Sequence, residues 1–214
     1  FSHCPFIREN HMKFTYSIPT KILFGPGSFN DLATTPLPGK KALVVITAGK
    51  SMRANGYLDR LIDMLDKQGI GHALFDKILP NPVLRHVHEG AALAREQGCD
   101  FVIGLGGGSS IDSAKSIAVM AKNPGDYWDY ISGGSGKGQP LVNGALPIVA
   151  IATTAGTGTE ADPWTVITKE DTNEKIGFGC AETFPVLSVV DPEMMSSMPK
   201  GLTAATGMDA LTHA

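Results

Sequence analysis

"DFVIGLGGGSSIDSAKSIAVMAKN", residues 100–123, is the stretch on which the fold turns. Its opening is a continuous apolar run, as expected of a strand covered on both faces. Three consecutive glycines, Gly106–Gly108, follow it and lead into a helix read over Ile111–Asn123. Glycines between a buried strand and a helix let the backbone approach a ligand with no Cβ in the way. The helix N-terminus then offers free N–H groups to an anion. Ser109 and Ser110 add hydroxyl donors or cap the helix. The spacing is neither G-x-G-x-x-G nor that of a P-loop, and a plain tight turn is the competing reading. Asp112 and Lys115, three apart on the first turn, read either as ligand contacts or as a surface pair worth about 0.3–0.5 kcal/mol.

Working outward, the same rhythm recurs. "KALVVIT" (Lys41–Thr47) is a second buried strand, followed by a helix with apolar residues at Leu58, Leu61, Ile62 and Leu65, closed by Gly69. "HALFD" (His72–Asp76) is a strand, and the segment from Asn81 to Gly98 a helix with Pro82 near its start. Strand and helix alternate three times, which predicts an α/β fold: a doubly wound, mostly parallel sheet that takes its ligand beyond the C-terminal strand ends. "TKILFG" (Thr20–Gly25) adds an early strand, "LPIVAIA" (Leu146–Ala152) and "PVLSVVDP" (Pro185–Pro192) later ones, and "WTVITKEDTNEKIGFG" a hairpin. "GDYWDYISGGSGKGQ" (Gly125–Gln139) reads as an exposed loop. A boundary is expected near Ser196–Lys200, where the composition turns helical. The division predicted is a tail over 1–11, an α/β domain over 12–198 and the first helix of an all-helical domain over 199–214.

Three further stretches carry chemistry. "TTAGTGTE" (Thr153–Glu160) is a second small-residue loop at a strand end; Thr153, Thr154, Thr157 and Thr159 offer hydroxyls to phosphate, ribose or base, or else cap a turn. Two such loops on one sheet favour a shared ligand. In "VITAGKS" (Val45–Ser51), Ala48 stands where a dinucleotide site often places an acid for the ribose hydroxyls, while Lys50 brings positive charge. That combination suits a 2′-phosphate and favours NADP over NAD; a solvated lysine after a strand is the bland alternative. Asp209 and His213 stand four apart, so on a helix both face one spot and could ligate one divalent metal. On spacing alone a surface Asp/His pair is the better reading, since two ligands do not complete a site.

Composition narrows the classes. Apolar residues make up 43% and charged residues 18%, values that allow a real core. The net charge of −3 comes with no basic run, which speaks against nucleic acid or an anionic membrane as partner. Cys4, Cys99 and Cys180 form no paired motif and read as free thiols of a cytoplasmic protein. No apolar run has membrane-spanning length. Phe1–His11 are expected to be a vector-derived tail, with a native arm as the alternative.

Taken in order, "PTKILFGPG", "PNP", "GGGSSID", "TTAGTGTE", "SVVDP" and "MPKGLTAATGMDALTHA" resemble the iron-containing (group III) alcohol dehydrogenase family, closest to its NADP-using alcohol and butanol dehydrogenases. The resemblance runs from about Lys13 to Ala214. It implies an N-terminal dinucleotide domain, a C-terminal helical domain holding most of the metal site, and a cleft between them. By the same resemblance Gly107, Gly108, Ser109 and Asp112 match contacts around the pyrophosphate and nicotinamide. Asn81, Thr153, Thr154, Thr157 and Lys175 match further cofactor-side positions. Asp209 and His213 match two of the four metal ligands, one aspartate and three histidines. Ala48 replaces the aspartate of NAD-using members, and Ala152 a frequent proline, a change expected to loosen the threonine loop. The implied reaction moves a hydride between an alcohol, or its aldehyde or ketone, and NADP(H), with NAD as the alternative coenzyme. Fe2+ polarises the substrate oxygen, with Zn2+ as the alternative metal, and the subunit is a homodimer. A zinc-using enzyme like glycerol dehydrogenase stays open, as does a module that binds dinucleotide and catalyses nothing.

Overall fold

The computed structural model describes Thr15 and residues 17–213. The predicted tail and Cys4 lie outside the described residues. Strands β1 (Lys21–Phe24), β2 (Lys41–Thr47), β3 (Gly71–Ile78), β4 (Phe101–Gly106), β5 (Ile148–Ala152) and β8 (Leu187–Val190) form one sheet in the order β1-β8-β5-β4-β2-β3. Every pairing in it is parallel. The antiparallel hairpin β6 (Thr165–Lys169) and β7 (Glu174–Phe178) stands apart from the sheet. The helices are α1 (Ser51–Ala54), α2 (Tyr57–Lys67), α3 (Leu84–Glu96), α4 (Gly108–Lys122), α5 (Pro192–Met195) and α6 (Lys200–His213). The doubly wound α/β reading therefore holds.

The continuous apolar runs are explained by burial on both faces. Ala42, Val44 and Ile46 of β2 pack with Leu58, Leu61 and Leu65 of α2. Leu43 and Val45, pointing the other way, join Val87 and Ala91 of α3 and Ile117 and Ala118 of α4. Gly104 of β4 permits the close approach of α4: a Cβ there would lie 2.9 Å from the Ile111 Cα. The chain runs outward from β2 to β3, then returns to β4 on the other side of β2. That reversal creates a crevice between β2 and β4 at their C-terminal ends, the place where open α/β sheets hold ligands.

Three expectations are corrected. Helix α3 begins at Leu84, after Pro82. The Pro82 carbonyl accepts from Thr168 N, and Val83 is extended and bridges Thr168, so the chain is committed to the hairpin before it can coil. The aromatic segment after Gly125 is no exposed loop: Tyr127, Trp128 and Tyr130 are buried in a short 3-10 turn. The Tyr127 ring meets Phe178 edge-on, and burial pushes its phenol up from the ordinary value despite bonds to Ser116 and Thr165. Asp112 and Lys115 are not a surface pair, as described below. His86 is buried against Phe75, whereas His88 lies 3.6 Å from Asp126, so the two imidazoles have different surroundings. Cys99 and Cys180 are free thiols.

One buried acid organises the sheet's far edge. Asp191, 1% exposed, accepts from the backbone N–H groups of Gly27, Phe29 and Glu193 at 3.0–3.1 Å. It caps α5 and ties the turn after β1 to the end of β8.

Candidate active site

The glycine run forms the floor of the site. Gly106 has φ +146°, a conformation that strains any other residue, and Gly107 is the extended cap residue from which α4 starts. A Cβ on Gly107 would lie 2.9 Å from the Thr154 Oγ1, and one on Gly108 3.1 Å from the Thr157 Cγ2. The glycine and threonine loops thus pack directly against each other, at an approach that only glycine allows. The start of the threonine loop is pinned by Thr153 N donating to the Gly106 carbonyl at 2.9 Å, so Ala152 does not leave that end loose. Ser109 is half-buried; its carbonyl accepts from Ser113. Ser110 does not cap the helix. Its Oγ is buried without a partner among the described residues, close beside Gly106.

Two hollows flank these loops. One, of about 150 Å³, lies at the β2–β4 crevice and is lined by Thr47, Gly106, Gly107, Thr153 and Thr154, with a wall of Met52, Met194, Met198 and Leu202. The other, of about 410 Å³, is lined by Gly156, Thr157, Gly158, Asp162, Phe184 and His213. A single loop, residues 153–158, borders both. That geometry suits a ligand with two ends and an anionic middle. The donors for such a middle are the α4 N-terminal amides, which the absence of side chains at Gly107 and Gly108 leaves uncovered.

Around this floor the predicted residues fall into groups. Ala48, Gly49 and Lys50 are exposed at the end of β2. Ala48 N donates to the Ile78 carbonyl, and among the described residues the Lys50 ammonium has no hydrogen-bond or ion-pair partner. The acid closest along the neighbouring strand, Asp76, is paired with Arg53 at 2.6 Å. Asn81, at φ +61°, accepts from the Lys175 ammonium at 3.0 Å, so two residues expected on the cofactor side, 94 apart in sequence, do meet. Thr153 is buried, Thr154 half-buried and Thr157 exposed.

Asp112, Lys115 and Thr159 depart from expectation. The Lys115 side chain is fully buried, and its ammonium donates to Thr159 Oγ1 (2.8 Å), the Asp162 carbonyl (2.9 Å) and carboxylate (3.1 Å), and the Trp164 carbonyl (2.7 Å). The Thr159 hydroxyl donates to Asp112 Oδ1, so it is not available to a ligand as expected. Asp112 Oδ2 accepts from Val166 N. Burial pulls the Lys115 ammonium down, opposed by the charges of Asp162 and Asp112; burial pushes the Asp112 carboxyl up, opposed by its bonds to Thr159 and Val166. Nothing in the spacing of Asp112 and Lys115 announced this, because it depends on a loop more than 40 residues away.

Asp209 and His213 are brought together on α6, with 3.6 Å between the imidazole Nε2 and the carboxylate; His213 is exposed and Asp209 half-buried. A carboxylate and an imidazole suit Fe2+ or Zn2+. They remain two donors: no group of three His, Cys, Asp or Glu side chains able to hold a metal comes together among the described residues. The helix crosses the threonine loop closely, since a Cβ on Gly156 would lie 2.5 Å from the Thr206 carbonyl oxygen. No helix among the described residues is long and apolar enough to cross a membrane.

Comparison with known proteins adds the following. Residues 19–192 match the family model for iron-containing alcohol dehydrogenases. The chain is 41% identical over 209 residues to choline dehydrogenase of Bacillus subtilis, covering 96% of this chain and 51% of that protein. It is 36% identical over 200 residues to NADH-dependent butanol dehydrogenase B of Clostridium acetobutylicum, covering 94% and 50%. Among solved structures, NADH-dependent butanol dehydrogenase A of Thermotoga maritima superposes with a TM-score of 0.86 at 35% identity, again over 94% of this chain and 50% of that one. The chain spans about half the length of the curated relatives it matches.

Proposed function

The chain belongs to the iron-containing alcohol dehydrogenase family, and we propose that it forms the coenzyme-binding part of an enzyme that moves a hydride between an alcohol, or its aldehyde or ketone, and NADP(H). The observation that carries this reading is the single loop, residues 153–158, that borders two hollows and faces an α4 N-terminus cleared of side chains. The diphosphate lies over Gly107, Gly108 and Ser109, where backbone amides meet it without desolvating a charged side chain. The smaller hollow, with its methionine wall, takes the adenine end. Thr154 and Thr157 orient the diphosphate and the nicotinamide ribose with their hydroxyls. The Asn81–Lys175 pair belongs to the coenzyme side as well. The nicotinamide supplies a hydride acceptor at its C4 when bound. What the chain does is hold that carbon on the side where His213 and Thr157 border the larger hollow. Asp209 and His213 would hold a divalent metal together with further ligands, and that metal would supply charge to polarise the substrate oxygen.

The coenzyme is NADP in this proposal, although the butanol dehydrogenases above are named for NADH. Exposed Ala48 presents no carboxylate to repel a 2′-phosphate, Lys50, without a partner among the described residues, attracts one, and Asp76 is neutralised by Arg53. The proposal further takes the enzyme as a cytoplasmic homodimer, supported by edge strand β1 with its 75%-exposed Phe24. Titrating NADPH and NADH into the chain with fluorescence detection tests the coenzyme reading. NADPH is expected to bind at least about tenfold more tightly, and Ala48→Asp to reverse the order. A folded chain that binds neither coenzyme would sink the reading.

A further inference from the structure

Beside the coenzyme floor lies a buried ammonium that takes no part in the chemistry above. Lys115 sits seven residues along α4 from Gly108, about 10 Å of helix. Its Nζ has four acceptors, and all of them belong to residues 159–164. Asp112, one turn nearer the glycines, adds the Thr159 hydroxyl and Val166 N to the same tether. Six hydrogen bonds therefore join one face of α4 to the irregular return from the threonine loop to the hairpin. That return has little regular structure of its own, and the carbonyls of Asp162 and Trp164 take their hydrogen bonds from the Lys115 ammonium.

A fold stabiliser alone would not need this arrangement. Burying an ammonium costs several kcal/mol before its partners offset it, and a well-packed apolar side chain often stabilises equally well. What an apolar side chain cannot do is fix where the loop backbone lies. The residues at stake are close by: Thr154 and Thr157, on the same loop, face Gly107 and Gly108 at contact distance. A shift of the return path by an ångström would drive the loop into the glycines or carry its hydroxyls out of reach of a diphosphate held beside them.

We propose that Lys115 is a positioning residue for the coenzyme: through Thr159, Asp162 and Trp164 it holds the threonine loop packed against Gly107 and Gly108, where the loop hydroxyls reach a dinucleotide bound beside the glycines. The proposal rests on the coenzyme reading above. Asp112 acts in it through Thr159 and Val166, not by touching the coenzyme.

The test compares the unaltered chain with Lys115→Met, Lys115→Arg and Thr159→Val. NADPH affinity is read by fluorescence, folding by thermal melting, and backbone opening by hydrogen exchange. Lys115→Met keeps a cooperative melt and weakens NADPH by about tenfold or more, the loss of one or two charge-assisted bonds. Exchange speeds up in residues 153–166 and stays unchanged in β2 and β4. Lys115→Arg recovers part of the affinity. Thr159→Val, which removes one hydroxyl from the tether at similar volume, weakens NADPH less but in the same direction, and decides the matter should Lys115→Met fail to fold. Unaltered NADPH affinity in the folded variants overturns the positioning role while leaving the coenzyme reading intact. So does exchange that rises equally throughout the sheet. An unaltered chain that binds no coenzyme overturns both.

Discussion

Lys115 and His213 are both basic side chains on helices that border the threonine loop. The Lys115 side chain is wholly buried with every proton placed, whereas that of His213 is 65% exposed and faces one carboxylate at 3.6 Å. The helices follow suit: α4 buries most of its residues against the sheet and the hairpin, while α6 buries none. The proposed coenzyme and metal sites therefore differ in preorganisation within this chain. The proposed coenzyme floor is held by the same contacts that hold the core. The two proposed metal donors ride on α6, which buries no residue and crosses the threonine loop at Gly156.

The comparison can be broken at its strong end first. Asp191→Ala removes the shared acceptor of three backbone donors, at Gly27, Phe29 and Glu193, that of Phe29 being buried, and is expected to destabilise the chain by about 3 kcal/mol. In a thermal melt that is a drop of about 6–12 °C for a domain of this size. Next, paired glycine substitutions separate the two regions. Gly104→Ala drives a methyl into the backbone of α4 at Ile111 and should cost about 1–3 kcal/mol of global stability. Gly156→Ala, at φ +129° and against the Thr206 carbonyl, should chiefly release α6, read as faster hydrogen exchange over residues 200–213 with smaller change in the sheet. Equal losses from the two variants would mean that α6 belongs to the core after all. The smallest effect is expected at the metal donors: Asp209→Asn and His213→Gln should leave the melting free energy within about 0.5 kcal/mol and NADPH affinity unchanged.

The sheet was legible because its signal is local. Lys41–Thr47 and Phe101–Gly106 are apolar without alternation, and only strands covered on both faces select for that. The glycine run, the threonine loop and the Asp209–His213 spacing were legible for the same reason, since each is a short run whose backbone meaning does not depend on distant residues. Two features were misread. The aromatic segment at Tyr127 carries acids and glycines that look like a solvated loop, yet its rings fill the space between α3, α4 and the hairpin. Pro82 looks like a helix start, but its carbonyl is already taken by Thr168. In each case the deciding partner lies tens of residues away.

From its order of residues alone this chain determined an α/β sheet, the strand ends at which a ligand would sit, and the side chains absent from that place. Those are consequences of steric bulk and hydrophobic period, which act over a few neighbouring positions. Only the tertiary structure decided which polar groups remain available to a ligand. It withdrew Thr159 and committed both oxygens of Asp112 to the protein, and it turned Lys115 from a surface cation into a buried tether. The reason is physical: whether a hydroxyl or an ammonium is free depends on what packs against it, and hydrogen bonds closed between distant segments leave no trace in local spacing.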